Sequence, residues 1–84
     1  MFKEASGMHY TTYDDKTVMD GVSGLWCCNA EHCHPKIVEA IQKQAETLDY
    51  ATAFQLGHPT IFAMAEKLVD MAPDELTHAF FTNS

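Results

Sequence analysis

The sequence predicts an α/β fold, and three features of its patterning support this prediction. The stretch MHYTTY (residues 8–13) is rich in aromatic and β-branched side chains, which is typical of a β-strand. Two later segments begin with proline and carry apolar residues at spacings of three and four, which is the period of an amphipathic helix. The last segment, THAFFTNS (residues 77–84), is predicted to be a short buried strand that runs into a turn.

A small antiparallel hairpin is predicted near the start of the chain. The segment DDK (residues 14–16) has the composition of a turn, and TVMDGV (residues 17–22) follows it as a second short strand. The carboxylates of Asp14, Asp15 and Asp20 have no spacing that defines a paired acid–base site. The hairpin is therefore predicted to be scaffold.

Two helices are predicted after the hairpin. The first covers Pro35–Leu48, because proline suits the first helical position and the apolar residues that follow form one stripe, which is predicted to pack: Ile37, Ile41, Ala45 and Leu48. The segment Asp49–His58 breaks the period and is predicted to be a loop. The second helix begins at Pro59 and ends near residues 72–76, because Pro73 disfavours helix at the residue before it.

The composition limits the class of protein. A chain of 84 residues forms one domain at most, and a hydrophobic content of 46% is that of a globular protein. The net charge of −7 argues against binding to nucleic acid or to an anionic membrane surface, and no apolar run approaches the roughly 20 residues of a membrane span. Three cysteines, two of them adjacent, form a poor disulfide framework, which favours a reduced, cytoplasmic protein.

The predicted elements do not complete a sheet. A buried strand at residues 77–84 needs neighbours on both sides, whereas the chain supplies only a hairpin and two helices besides it. We therefore expect these residues to be a piece of a longer protein.

The densest group of reactive side chains lies in GLWCCNAEHCHPK (residues 24–36). One hypothesis is a small metal-binding or interaction module, whose candidate ligands are Cys27, Cys28, His32, Cys33 and His34. Structural zinc sites usually take separated ligand pairs, and adjacent residues of an extended chain point to opposite faces, so the spacing disfavours a shared ion. We therefore predict no metal site and expect buried or incidental thiols.

No motif in the sequence defines a reaction by itself. His58, beside Pro59, is a candidate general base, but a base needs a nucleophile or a substrate proton within reach, and the sequence does not identify one. The chain contains no Walker loop, no G-x-G-x-x-G and no G-x-S-x-G motif.

Three stretches in order carry a resemblance to a known family: DGVSGLWC (residues 20–27), LDYATAFQLGHP (residues 48–59) and AFFTNS (residues 79–84). They resemble the N-terminal third of class III pyridoxal-phosphate aminotransferases, and they are most similar to the ω-amino acid–pyruvate (β-alanine–pyruvate) transaminases. The resemblance spans essentially the whole chain. It implies amino-group transfer from an amine or ω-amino acid, through pyridoxal 5'-phosphate, to pyruvate or another keto acid.

The resemblance also implies an architecture. The chain would be a fragment of a fold-type-I transferase that contributes the small hairpin, two helices and the first strand of the large-domain sheet. Residues 1–58 would belong to the N-terminal, small-domain region and an active-site loop, and residues 59–84 would begin the large cofactor-binding domain. The family forms homodimers whose active sites lie at the subunit interface.

Four residues match positions to which the family assigns a role. The resemblance implies that Trp26 and its apolar neighbour Leu25 line the substrate pocket, where a large flat ring packs on substrate and cofactor. Phe54 matches a loop aromatic that reaches the partner subunit's active site. Ser84 matches the first residue of a turn that holds the cofactor phosphate at a helix N-terminus.

Two departures from the family pattern are visible. Glu31 stands where the family commonly has glycine, and a left-handed backbone there would strain a glutamate. The lysine that binds the cofactor is expected beyond residue 84, so these residues alone are expected to be inactive. Another class III enzyme, such as a decarboxylase or a racemase-like member, remains an alternative, because the residues that separate those reactions are absent here.

Overall fold

The computed structural model of the chain describes residues 1–82. These residues divide into two compact units, of which the first covers Met1–Thr47 and the second begins at Leu48. The prediction that Ser84 belongs to a phosphate-binding turn concerns a residue outside the described residues. The domain boundary after residue 58 stays a prediction, because the compact units need not coincide with the domains of a longer protein.

The first unit contains a three-stranded antiparallel sheet in the order β1-β2-β3. Its strands are β1 (Phe2–Ser6), β2 (His9–Thr12) and β3 (Thr17–Met19). The predicted hairpin is confirmed as β2 and β3, in which Tyr10 pairs with Val18. The strand β1 was not predicted, because its lysine, glutamate and alanine are depleted in strands. Pairing with β2, and stacking of the Phe2 and Tyr10 rings at 4.4 Å, hold it in place.

Strand β3 ends three residues earlier than predicted. The chain leaves the sheet at Asp20, and the short helical segment α1 (Ser23–Trp26) follows. Its residues have positive φ angles, which makes it a left-handed turn rather than an ordinary helix.

Both predicted amphipathic helices are present, as α2 (Pro35–Thr47) and α3 (Pro59–Met71). Each begins at the proline that predicted it. At the start of α2 the His34 ring accepts a hydrogen bond from the Lys36 backbone N–H at 3.2 Å, so this side chain caps the helix. Helix α3 ends where Ala72 turns extended, directly before Pro73, as expected.

The predicted strand at the end of the sequence is wrong for the residues that the structure describes. Residues 77–82 have no strand assignment, and the Phe80 side chain is 92% exposed. The physical reason is that a strand is held by hydrogen bonds to neighbouring strands, and within the second unit no described strand lies beside this segment.

The apolar stripes of the helices lack the cover that was predicted for them. Among residues 1–82 no hydrophobic side chain is buried, and Ile41, in the middle of the α2 stripe, is 63% exposed. No helix in the described part of the chain is long and apolar enough to cross a membrane.

Candidate functional site

The left-handed turn α1 presents the two residues that the resemblance places in a substrate pocket. The φ angles of Ser23, Gly24, Leu25 and Trp26 are 51°, 58°, 56° and 71°. For a residue other than glycine, this conformation costs on the order of 1–2 kcal/mol. The Leu25 and Trp26 side chains are 66% and 79% exposed. The turn therefore holds an aliphatic side chain and an indole in solvent on a strained backbone.

Backbone hydrogen bonds close the turn. The Trp26 N–H donates to the Val22 carbonyl at 3.0 Å, and the Cys28 N–H donates to the Ser23 carbonyl at 2.8 Å. Because these bonds fix successive peptide groups, the directions in which the side chains of residues 25 and 26 leave the backbone are defined.

The carboxylate of Asp20 lies under the entry to this turn. Its Oδ1 accepts a hydrogen bond from the Val22 N–H at 3.0 Å, and its Oδ2 accepts one from the Gly24 N–H at 2.6 Å. His32 Nε2 lies 2.6 Å from the same Oδ2. Asp20 is the one buried polar or charged residue among residues 1–82, with 7% exposure. A buried carboxylate needs several donors, and this one has them.

These contacts change the acidity of two side chains. Bonding from the Val22 N–H, and then from His32, Gly24 and Tyr10, lowers the pKa of Asp20 from 3.8 to about 2, against the opposing effect of burial. Burial, followed by the negative charge of Asp20, raises the pKa of the Tyr10 hydroxyl. Asp20 is therefore an anion under physiological conditions.

His32 connects the turn to the sheet. Its backbone forms an isolated bridge with Gly7, through N–O distances of 2.9 and 3.1 Å. Its ring packs against the Tyr10 ring with a centroid distance of 4.5 Å. Side-chain exposure is 10% for His32 and 3% for Asp20. The Asp20 carboxylate and the His32 imidazole thus form a hydrogen-bonded pair between the sheet and the turn, with little exposure to solvent.

The recess beside this pair is small. Its volume is about 80 Å³, and residues from the turn and the following loop line it, including Ser23, Cys28 and His32. Small-molecule pockets usually measure about 300–1,000 Å³. The recess is therefore too small for a typical ligand, and the Asp20–His32 pair lies beneath a turn whose residues 25 and 26 are exposed.

Among the described residues, the five candidate metal ligands do not converge on one site. His32 faces Asp20, His34 caps α2, and Cys27 makes only a long contact with the Leu25 carbonyl at 3.5 Å. Cys27 and Cys33 are exposed and Cys28 is half-buried, so the thiols are not buried, which was the first of the two alternatives expected for them. Over residues 1–82, no three His, Cys, Asp or Glu side chains converge on a point that could hold a metal ion. The metal-module hypothesis thus has no assembled site in the described chain.

Glu31 has the backbone conformation that a glycine position leads one to expect. Its φ angle is 154°, in a region that L-residues rarely adopt. Its carboxylate lies 4.0 Å from His34 Nε2, a contact between partly exposed groups. The φ angle lies outside the left-handed turn that was expected but in a region that favours glycine, and the strain of the glutamate stays a prediction.

The second unit contains the loop with Phe54 and His58. The Phe54 side chain is 77% exposed. An apolar cavity of about 210 Å³ lies nearby in the same unit, lined by residues of the loop, α3 and the following segment: Ala53, Leu56, Gly57, Ile61, Phe62, Ala65, Ala79, Phe80 and Phe81. His58 precedes α3, and its Nδ1 is buried without a hydrogen-bond partner in the described residues.

The sequence reasoning did not identify Asp20 as part of the site. A signal was present, because an aspartate before a Gly-x-Ser-Gly stretch is the residue type that bonds to backbone N–H groups two to four positions ahead. The partnership with His32 could not be foreseen, because it depends on the bridge that brings residue 32 to residue 7.

Comparison with known proteins extends over the whole chain. The family described as aminotransferase class-III matches residues 1–84. An omega-aminotransferase of Caulobacter vibrioides is 52% identical over 84 residues, which cover 100% of this chain and 19% of that protein. An omega-amino acid–pyruvate aminotransferase of Pseudomonas putida is 52% identical over 73 residues, covering 84% of this chain and 16% of that protein. A beta-alanine–pyruvate aminotransferase of Pseudomonas aeruginosa is 46% identical over 80 residues, which cover 95% of this chain and 18% of that protein.

The chain thus spans less than a fifth of the length of these relatives. The family match nevertheless includes every residue, and it confirms the resemblance that three separate stretches of the sequence indicated. The chain belongs to the class III aminotransferase family.

Proposed function

We propose that a longer protein containing these residues is a pyridoxal-phosphate-dependent aminotransferase. It transfers an amino group from an ω-amino acid or amine to pyruvate or another keto acid. The observation that carries the proposal is the identity of 52% over the whole chain with a protein named omega-aminotransferase. The names of two further relatives include pyruvate, which supports pyruvate as the acceptor.

Among the described residues, the exposed Trp26 indole is suited to pack on the aromatic ring of the cofactor. Pyridoxal phosphate, when bound, supplies an electron sink for bond-breaking at the amine carbon. The exposed indole of Trp26 offers a flat face of the kind that packs on an aromatic ring, and the left-handed turn fixes its direction. In this proposal Trp26 and Leu25 bind and orient the substrate, and they exclude water from one side of it.

The remaining contacts belong to other parts of the longer protein. We propose that the turn beginning at Ser84 holds the cofactor phosphate and that Phe54 reaches the active site of the partner subunit in a homodimer. The small-molecule substrates suit a chain with a net charge of −7, which does not favour nucleic acid. The three free cysteines support a cytoplasmic location.

The 84-residue chain by itself is proposed to be inactive. Its lysines lie on the surface of the structure, and three of them already pair with carboxylates at 2.6–2.7 Å: Lys3 with Asp15, Lys16 with Asp14 and Lys43 with Glu39. Incubation with the cofactor followed by borohydride should leave no stoichiometric adduct at any single lysine. A site-specific adduct together with turnover would contradict this expectation.

The activity is tested on the longer protein with β-alanine and pyruvate. We expect cofactor-dependent formation of alanine, and we expect Trp26→Ala to raise the KM for the amine about tenfold, because the proposed packing of the indole on the substrate is lost. Tyr13→Ala is the matched control, since Tyr13 is also an aromatic with 73% exposure but lies on the hairpin. Absence of alanine with β-alanine and with simple amines would refute amino transfer. Release of carbon dioxide instead would identify a decarboxylase.

A further inference from the structure

We propose that Asp20 is a positioning residue that sets the orientation of Trp26 in the active site, through the two backbone N–H groups that it binds at the entry to α1. This inference deepens the proposed function and rests on it. Asp20 is not itself proposed to touch the substrate. Its effect on the reaction passes through the turn.

The two hydrogen bonds of the Asp20 carboxylate lie on either side of the residue at which α1 begins. Val22 directly precedes α1 and Gly24 lies inside it, so the carboxylate of Asp20 binds both sides of Ser23, where the backbone becomes left-handed. Both bonds are charge-assisted, which makes them stronger than bonds between neutral groups. The carboxylate therefore holds the peptide groups at the point where the strained conformation begins.

Few contacts besides those of Asp20 hold the turn α1 in place. The N–H of Trp26 bonds to the Val22 carbonyl, so the orientation of residue 22 passes directly to residue 26. The Leu25 and Trp26 side chains are mostly exposed and provide little packing of their own within the first unit. The anchor for the turn is thus beneath it, at Asp20.

Two contacts hold Asp20 itself in position. His32 lies against Oδ2 at 2.6 Å, and the Asp20 N–H donates to the Met8 carbonyl at 2.9 Å. The first contact holds the carboxylate, and the second holds the backbone of residue 20 beside the sheet. A change at the buried Asp20 therefore alters the link between this support and the turn, whereas a change at a surface aspartate such as Asp14 does not.

The first experiment observes the indole directly. The longer protein is labelled with 5-fluorotryptophan, and the Trp26 signal is assigned by its loss in Trp26→Phe. We expect Asp20→Asn to shift or split this fluorine signal, because the amide keeps the shape but loses the charge and one acceptor. Asp14→Asn is the matched control: Asp14 also accepts two side-chain bonds in the same unit, from Thr12 and Lys16, but does not contact the turn. An unchanged signal in Asp20→Asn would overturn the proposal.

The second experiment asks whether the effect on the reaction passes through Trp26. We expect Asp20→Asn to lower kcat/KM on the order of tenfold with Trp26 present, since misplacement of a binding group has effects of this size or larger. In the Trp26→Ala background the same substitution should lower it less than twofold, because the group that Asp20 positions is gone. An equal loss in both backgrounds would show general destabilisation and would overturn the proposal.

Two controls distinguish a loss of folding from a loss of positioning, and a failure of the proposed function from a failure of this inference. Thermal unfolding of each variant is measured, and if Asp20→Asn does not accumulate as folded protein, Asp20→Glu carries the same cycle, because it keeps the charge but displaces the carboxylate. If the wild-type protein transfers no amino group, the proposed function fails, while the fluorine signal still decides whether Asp20 sets the orientation of the indole.

Discussion

At the scale of single residues, Glu31 shows how one side chain can oppose its own backbone. A φ angle of 154° is open to glycine and rarely adopted by L-residues. The contact with His34 at 4.0 Å is between partly exposed groups and contributes little in compensation. The backbone at position 31 therefore favours glycine, whereas the residue present is a glutamate.

Glu31→Gly is therefore expected to stabilise the longer protein. Relief of strain of about 1–3 kcal/mol exceeds the loss of about 0.5–1 kcal/mol from the added chain entropy of glycine. The free energy of unfolding from urea titration should rise by about 1 kcal/mol. Glu46→Gly, the same exchange at an exposed position in α2, should instead destabilise by about 1 kcal/mol. A fall in stability for Glu31→Gly would refute the strain.

The acidity of Asp20 gives a prediction for the dependence of stability on pH. Its pKa in the folded chain is about 2, below the ordinary 3.8, chiefly because the Val22 N–H and His32 bind the carboxylate. Its contribution is therefore complete above the unfolded pKa and is lost as the pH falls through the folded one.

The measurement is the difference in unfolding free energy between the wild type and Asp20→Asn. This difference should be constant from about pH 7 to about pH 5, and it should shrink as the pH falls from about 4 to about 2. A difference that grows toward low pH would contradict the assigned bonding.

At the scale of structural elements, α1 depends on Gly24. A β-carbon there would lie 3.0 Å from Cys28 Sγ and 3.4 Å from His32 Cε1, on a backbone with a φ of 58°. Gly24→Ala should therefore destabilise the longer protein by about 1–3 kcal/mol in urea unfolding. Gly21→Ala is the control, because nothing lies within 4 Å of its added carbon. Equal stability of the two variants would show that α1 is not left-handed.

The elements also show how far the sequence could predict the fold. Helices α2 and α3 were predicted to within one residue at Pro35, Thr47 and Pro59, because proline and an apolar period act locally. The strand β1 was missed because its residue types are depleted in strands and pairing with β2 holds it. The turn α1 was missed because its left-handed backbone depends on the hydrogen bonds of the Asp20 carboxylate. In the candidate site, the roles of residues 25 and 26 were predicted from the family resemblance. The contact between Asp20 and His32 beneath the turn could not be predicted from the sequence and is seen only in the structure.

At the scale of the whole molecule, the described chain lacks a core. No hydrophobic side chain among residues 1–82 is buried, and large apolar residues of both helices face solvent. Burial of such side chains supplies most of the free energy of folding. The elements are therefore expected to require contacts from a longer protein.

The isolated 84-residue chain should accordingly unfold without a sharp transition. Circular dichroism at 222 nm should decline gradually on heating, and the dye ANS should bind strongly, because the apolar stripes of α2 and α3 stay exposed. The longer protein is the control and should unfold cooperatively. A single cooperative transition of the isolated chain, with equal calorimetric and van't Hoff enthalpies, would contradict this expectation.

The left-handed backbone of α1 has a consequence for mutagenesis at the two positions that are proposed to contact the substrate. Positions 25 and 26 have φ angles of 56° and 71°, so a library at these codons is limited first by which residues the backbone accepts and only then by the proposed substrate contacts. Glycine, asparagine and aspartate tolerate this geometry, whereas valine, isoleucine and threonine do not. Small polar variants should thus be recovered more often than branched apolar ones, even when the desired amine is bulky and apolar.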